Sequence, residues 1–249
     1  MSTAAAQVLE ADEKIPKILT VSASKGGVSK SSTCRNLGVI AARAGLQVAL
    51  VDVDLQRTLS DWYDIRLKRM SQFPNEGLSE LTLYAVKMSD VQEIPNLRGF
   101  DIVIVDMPPL VASGESEDDK RLGYLDHLIS HSDYVLVPSG QQVEDLMSAM
   151  SWMDFLRDKG VRHECLLTAT SRRTKSYETA KHRLGQPGSY EDPPNPRKPP
   201  YRQIPFDIPR VEDIPLSHQW GLGVSEIKKA KGAEDYAAVW NHIRNQLGL

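Results

Sequence analysis

Short apolar runs, rich in β-branched residues, recur along the chain, and between them apolar positions return every three to four residues. Residues 18–23, 48–53, 102–105, 134–138 and 166–170 have the length and near-continuous apolar character of strands buried on both faces. Helical periodicity covers 31–44, closed by Gly45, and then 57–70, 120–130, 143–159 and 175–184. A last helix is predicted over 233–247, with Tyr236, Val239, Trp240, Ile243 and Leu247 on one face. Strands alternating with helices predict an α/β fold with a doubly wound, mostly parallel sheet and helices on both faces. In such sheets ligands gather at the C-terminal ends of the strands.

Two stretches break the rhythm. Residues 1–14 are polar and Ala-rich and predict a flexible tail. Nine of the fifteen prolines fall in 187–215, so 186–215 reads as an extended Pro-rich loop rather than a helix. No internal repeat is visible, and 15–249 reads as a single domain.

Composition narrows the partners. With 249 residues, 41% apolar and 25% charged, the chain suits one large α/β domain. Net charge is −3, so contact with nucleic acid requires a local patch. Residues 172–231 carry twelve Lys/Arg against seven Asp/Glu, a local +5 that leaves −8 elsewhere; a solvated basic face is the alternative reading. Cys34 and Cys165 have neither disulfide nor metal spacing, which fits a reducing cytoplasm. No apolar run approaches the ~18 residues of a membrane span.

Three segments at predicted strand ends carry chemistry. Ser24-Lys25-Gly26-Gly27-Val28-Ser29-Lys30-Ser31-Ser32-Thr33 joins the first strand to the first helix. A glycine-containing turn there aims backbone N–H groups and a helix N-terminus at one point, which suits a phosphate chain. Lys30 would reach the β/γ-phosphates and Ser31 would hold Mg²⁺. Lys25 is a second lysine that an ordinary phosphate loop does not need, and Ser29 stands where such a loop has glycine. Val51-Asp52-Val53-Asp54-Leu55-Gln56 follows, with strand alternation placing Asp52 and Asp54 on one side. One carboxylate can serve the Mg²⁺ shell and the other can orient a water. Asp106, after four apolar residues and before Met107-Pro108-Pro109, has the arrangement that binds a water of the Mg²⁺ shell. Each acidic motif alone reads more readily as a solvated or capping strand end; the order of all three argues for a nucleotide site.

Lys-Gly-Gly-x-x-Lys-Ser, Asp-x-Asp-x-Gln and Asp-x-Pro-Pro together resemble the ParA/MinD family of deviant Walker ATPases, over nearly the whole chain. Val135-Leu136-Val137-Pro138 with Gln142, Asp145 and Leu146, then Ile204-Pro205, Arg210 and Gly221-x-Gly223-Val224-Ser225-Glu226, match its later segments. Trp62 and Arg66 resemble the small plasmid-type ParA group, and the end of the chain lacks the amphipathic membrane helix of MinD. The resemblance implies ATP and Mg²⁺ as cofactors. It implies a nucleotide site of Gly26, Gly27, Val28, Ser29, Lys30, Ser31, Ser32 and Pro205, with Ser31, Asp52 and Asp106 organising the metal. Lys25 would act across an ATP-dependent homodimer on the partner's phosphates, and Asp54 would position the hydrolytic water. Arg210, with Lys228 and Lys229, would bind DNA without sequence preference, and a ParB-like centromere-binding protein would stimulate hydrolysis. The resemblance implies a cytoplasmic, nucleoid-associated protein that drives DNA partition, without a membrane. Two departures stand out: Ser29 for glycine, and Thr168-Ala169-Thr170 where the family often has Asn at the adenine edge. Ser29 keeps open a second reading, a weakly hydrolysing adaptor that positions a DNA-transfer complex or other cargo.

Overall fold

The five apolar runs form five of the six strands, because each is flanked by polar turn residues and is mostly buried, while the remaining strand is a half-exposed edge strand. A computed structural model describes residues 14–109, 117–185 and 200–249. The strands are β1 (Lys17–Val21), β2 (Val48–Asp52), β3 (Thr82–Ala85), β4 (Ile102–Asp106), β5 (Tyr134–Ser139) and β6 (His163–Leu167). The helices are α1 (Lys30–Arg43), α2 (Thr58–Gln72), α3 (Glu117–Ser130), α4 (Val143–Asp158), α5 (Lys175–Gly185), α6 (Asp213–Gln219) and α7 (Ala233–Leu247). All strand pairs are parallel, in the order β3-β2-β4-β1-β5-β6. The chain leaves β1 toward β2 on one side and leaves β4 toward β5 on the other, which opens a crevice at the C-terminal end of β1.

Alternation along each strand feeds two cores. Val103, Val105, Val135 and Val137 pack with Leu146, Met150 and Met153 of α4 on one face. Ile102, Ile104, Leu136 and Leu166 pack with Leu37 of α1, Leu59 and Trp62 of α2, and Trp240 and Ile243 of α7 on the other. At about 1.5–3 kcal/mol for each fully buried large apolar side chain, these two layers are the main force holding the sheet rigid.

Two segments that resemble the same family lie far apart in sequence and lock together. Arg66 donates twice to Glu226, at 2.7 and 2.8 Å, and also to the carbonyls of Gly221 and Ser79. Both members of this ion pair are about 1% exposed or less. Trp62 Nε1 donates to the Leu222 carbonyl at 3.1 Å. Gly221 is required here: its φ is +67°, and an added Cβ would lie 2.5 Å from the Arg66 backbone nitrogen.

The structure corrects several sequence boundaries. β3 and the 3₁₀ turns at Met88–Asn96 escape the periodicity reading, since β3 is a four-residue edge strand with half-exposed side chains. β6 spans His163–Leu167, not 166–170, because the chain turns where Ala169 takes φ 50°. Part of the expected Pro-rich loop is helical: α6 begins at Asp213 and holds Pro215 in its first turn, where a missing N–H costs nothing. Residues 201–210 of that loop run extended beside β6, with bridges from Cys165 to Gln203 and from Thr170 to Pro209. Residues 186–199 and 1–13 lie outside the described residues. Lys14, expected in the tail, pairs with Asp101 at 2.5 Å.

Candidate functional site

Strand register builds the site. Val21 of β1 and Asp52 of β2 both pair with Asp106 of β4, so the ends of these three strands lie side by side. The loop leaving β1 returns at once into α1. Its Gly26 and Gly27 are exposed, and the carbonyl of buried Val28 accepts a hydrogen bond from Thr168 Oγ1 at 3.2 Å. Ser29 is the residue before α1 and takes φ 66°, ψ 29°, the left-handed conformation a glycine would adopt freely. Its carbonyl accepts from Thr33 N and Oγ1 at 2.9 and 2.8 Å, which fixes the first turn of the helix.

Charge at the strand ends is unbalanced. Lys30 is buried, and its Nζ reaches the Lys25 carbonyl at 3.5 Å. Burial lowers its pKa, with Asp106 and Asp54 acting in the opposite sense. Asp106 is fully buried, and among the described residues neither carboxylate oxygen completes a hydrogen bond. Its pKa is raised to about 7, by burial above all and with Asp52 and Asp54 adding to the rise, while the nearby Ser31 hydroxyl and Lys30 act against it. An orphaned carboxylate beside a serine hydroxyl fits Mg²⁺, a hard cation that takes one or two protein oxygens and completes its shell with phosphate and water.

The two residues of the Asp-x-Asp motif part company. β2 stops at Asp52, so strand alternation does not reach Asp54. The Asp52 carboxylate is spent on the loop: Oδ1 accepts from Asp54 N at 3.1 Å, and Oδ2 from Ser60 N and Oγ at 2.8 and 2.6 Å. Asp52 therefore shapes the turn. Asp54 is half-buried, and the residue after it, Leu55, is 91% exposed. Lys25, on the far side of the loop, pairs with Asp145 of α4 at 2.5 Å, and this contact raises its pKa.

A cleft of about 700 Å³ runs from the loop to α6, lined by Gly26, Gly27, Ser29, Lys30, Ser31, Ser32, Asp54, Ile208 and Pro209 among others. A second of about 380 Å³ lies on the other side, lined by Val28, Gln141, Asp145 and Thr168. Gly26, Gly27, Ala169 and Arg210 border both. Of the expected loop residues, Gly26, Gly27, Ser29, Lys30, Ser31 and Ser32 line the larger cleft, and Val28 lines only the smaller one. Pro205 is exposed and borders neither cavity; Pro209, four residues on, takes that place because the 201–210 segment tracks β6. Arg210 is exposed at the cleft mouth, whereas Lys228 and Lys229 lie in the turn before α7 and border neither cavity. Of the basic segment, Arg172 is held by Asp207 and Asp235.

The sequence reading missed Arg35 and Tyr236, which line the larger cleft, and Ala169 as a strained position. Tyr236 reads as part of an apolar helix stripe. Arg35 left a signal: a charged residue inside an otherwise uncharged helical run, 31–42.

Residues 19–245 match the family model of the CobQ/CobB/MinD/ParA nucleotide binding domain. No curated protein sequence matches the chain significantly. Among solved structures, it is similar to a candidate plasmid partition protein from Borrelia burgdorferi bound to AMPPNP, at 15% identity and TM-score 0.68, covering 93% of this chain and 99% of that one. The septum site-determining protein MinD of Pyrococcus horikoshii, in complex with Mg-ADP, is 15% identical with TM-score 0.64, over 92% of this chain and 96% of that one. A Cyanothece McdA variant in complex with ATP is 16% identical with TM-score 0.63, over 95% and 98%.

Proposed function

The chain belongs to the CobQ/CobB/MinD/ParA nucleotide binding domain family, and from that premise we propose that it is a ParA-type ATP hydrolase acting in DNA partition. The observation that carries this reading is the buried Asp106 carboxylate, without a completed hydrogen bond among the described residues, set at one strand end with Ser31 and the buried Lys30. Ser31 and Asp106 would hold Mg²⁺, and the loop N–H groups with Lys30 would hold the phosphates. Bound Mg·ATP supplies the γ-phosphoryl group that passes to water. Asp54 orients that water, and Asp52 keeps the Asp54 turn in place through its bonds to Asp54 N and Ser60. Lys25 is held by Asp145 within its own chain and would have to leave that partner to reach the phosphates of a second protomer.

The same reading makes the active form a homodimer that binds DNA nonspecifically and answers to a ParB-like partner, in the cytoplasm and on the nucleoid. Among the described residues no helix is long and apolar enough to cross a membrane. Arg210 at the cleft mouth is the leading DNA contact, since nucleotide in the cleft could set its position; Lys228 and Lys229 are exposed and secondary.

The test combines Mg²⁺-dependent ATP titration, steady-state hydrolysis and duplex DNA binding across a salt series. Lys30→Ala and Asp106→Asn should lose Mg·ATP affinity, Asp54→Ala should bind but not hydrolyse, and Arg210→Ala should lose DNA affinity for all sequences alike. ATP affinity equal in wild type and Lys30→Ala would overturn the assignment. A second reading, a weakly hydrolysing adaptor for a DNA-transfer complex or other cargo, draws support from Ser29 at φ 66°. Tight ATP binding without turnover, with or without DNA, would favour it.

A further inference from the structure

Arg35 lies five residues beyond Lys30 on α1, roughly 7.5 Å along the helix axis, and lines the larger cleft at its α6 end. It is 4% exposed. Its Nη2 donates to the Ile214 carbonyl at 2.5 Å and to Ser217 Oγ at 3.1 Å, while Nε is buried without any partner. Among the described residues no carboxylate pairs with it, whereas Arg66, the other arginine as buried, has a bidentate glutamate. Burial lowers its pKa to about 10, so it stays protonated at neutral pH. Its positive charge also helps lower the pKa of His218, second to burial.

Two further polar groups border the same end of the cleft without a completed hydrogen bond. Among the described residues neither Ser32 Oγ nor Tyr236 Oη completes a hydrogen bond; both atoms are buried, and burial raises the Tyr236 pKa, with the nearby Ser32, Arg35, Thr33 and Asn36 acting in the opposite sense. Ser32 and Arg35 are three residues apart and share a helix face. A buried cation with no counter-ion is costly, and so are unpaired buried hydroxyls. An anion offered from the cleft would satisfy all three.

We propose that Arg35, Ser32 and Tyr236 form a second anion subsite that takes a phosphoryl group of the bound nucleotide other than the β/γ pair at Lys30. This rests on nucleotide binding in the cleft. The group has two sources, the α-phosphate or a phosphate carried on the ribose. The guanidinium supplies charge and Nε–H, and the two hydroxyls supply O–H donors, a set suited to the tetrahedral oxygens of a phosphate.

Isothermal titration with ADP, AMP, adenosine 3′,5′-bisphosphate and pyrophosphate tests it on wild type, Arg35→Met, Tyr236→Phe and Lys30→Ala. Arg35→Met should bind phosphate-bearing ligands at least tenfold more weakly, and Tyr236→Phe, which keeps the ring packing, several-fold more weakly. A loss toward ADP and AMP identifies the α-phosphate; a loss only in the advantage of the bisphosphate over AMP identifies the ribose phosphate. The melting temperature of nucleotide-free Arg35→Met should equal or exceed that of wild type, since an uncompensated charge is removed. Affinities equal to wild type in both variants, or a lowered melting temperature with unchanged affinity, would reduce Arg35 to a cap for α6 and overturn the proposal. If no nucleotide binds wild type, the cleft reading itself has failed. Pyrophosphate then decides the subsite alone: thermal protection lost in Arg35→Met supports it, and protection retained or never present refutes it.

Discussion

Replacing Ser29 with glycine measures what the loop gives up by carrying a side chain. Ser29 takes φ 66°, ψ 29° and makes no side-chain capping bond. Left-handed backbone costs an L-residue about 1–2 kcal/mol. Glycine removes that cost but adds about 0.4–1 kcal/mol of freedom to the unfolded chain. The net gain is about 1 kcal/mol, a rise in melting temperature of ~2–4 °C for a domain of this size. Nucleotide affinity should move much less than stability. The loop already holds the left-handed turn with serine in place, so the strain is common to the free and bound forms and cancels. Ser29→Gly should therefore bind ATP within tenfold of wild type, a window of about 1.4 kcal/mol. Thermal denaturation and isothermal titration on wild type, Ser29→Gly and Ser29→Ala provide the assay, with alanine keeping the Cβ and losing the hydroxyl. An affinity gain beyond tenfold in the glycine form would mean that the Cβ obstructs the phosphates. A lower melting temperature would mean that the side chain stabilises the loop, and the strain argument would fall.

The raised pKa of Asp106 makes a signed prediction about pH. Its folded pKa, about 7, lies above the 3.8 of an ordinary aspartate, so the folded state binds the extra proton and stability falls as pH rises from about 4 to about 7. Asp106→Asn should remove that fall and stabilise the free protein at pH 8 by up to ~4 kcal/mol, read by urea denaturation at pH 5 and 8; an unchanged slope would show that another group carries it. Arg66→Ala leaves Glu226 buried and unpaired and should cost about 3–5 kcal/mol by denaturant unfolding. Gly221→Ala, which drives a Cβ into the Arg66 backbone, should lower the melting temperature as clearly. Lys25→Ala should retain ATP affinity and lose ATP-dependent dimerisation, and Asp145→Ala should dimerise more readily, both followed by sedimentation; equal loss of ATP affinity in the two would place Lys25 in its own chain's site.

The sequence by itself determined the layers and the position of the chemistry. Near-continuous apolar runs can be satisfied only by strands covered on both sides, and helices of matching period supply the cover. The loop at 24–33 and the aspartates at 52, 54 and 106 were legible because each follows such a run, where a parallel sheet opens its crevice. The edge strand β3 and helix α6 were not, since a four-residue half-exposed strand and a seven-residue helix holding a proline carry too little periodicity to register. Tertiary structure alone decided which aspartate is free. Asp52 and Asp106 are adjacent strand ends in one register, yet Ser60 and the Asp54 amide occupy the first while the second is left without a partner. It also decided that Pro209 rather than Pro205 borders the cleft, that Arg210 stands at its mouth, and that Arg35 is buried there without a counter-ion. Those outcomes depend on hydrogen bonds and burial supplied by residues distant along the chain, and local periodicity holds no record of them.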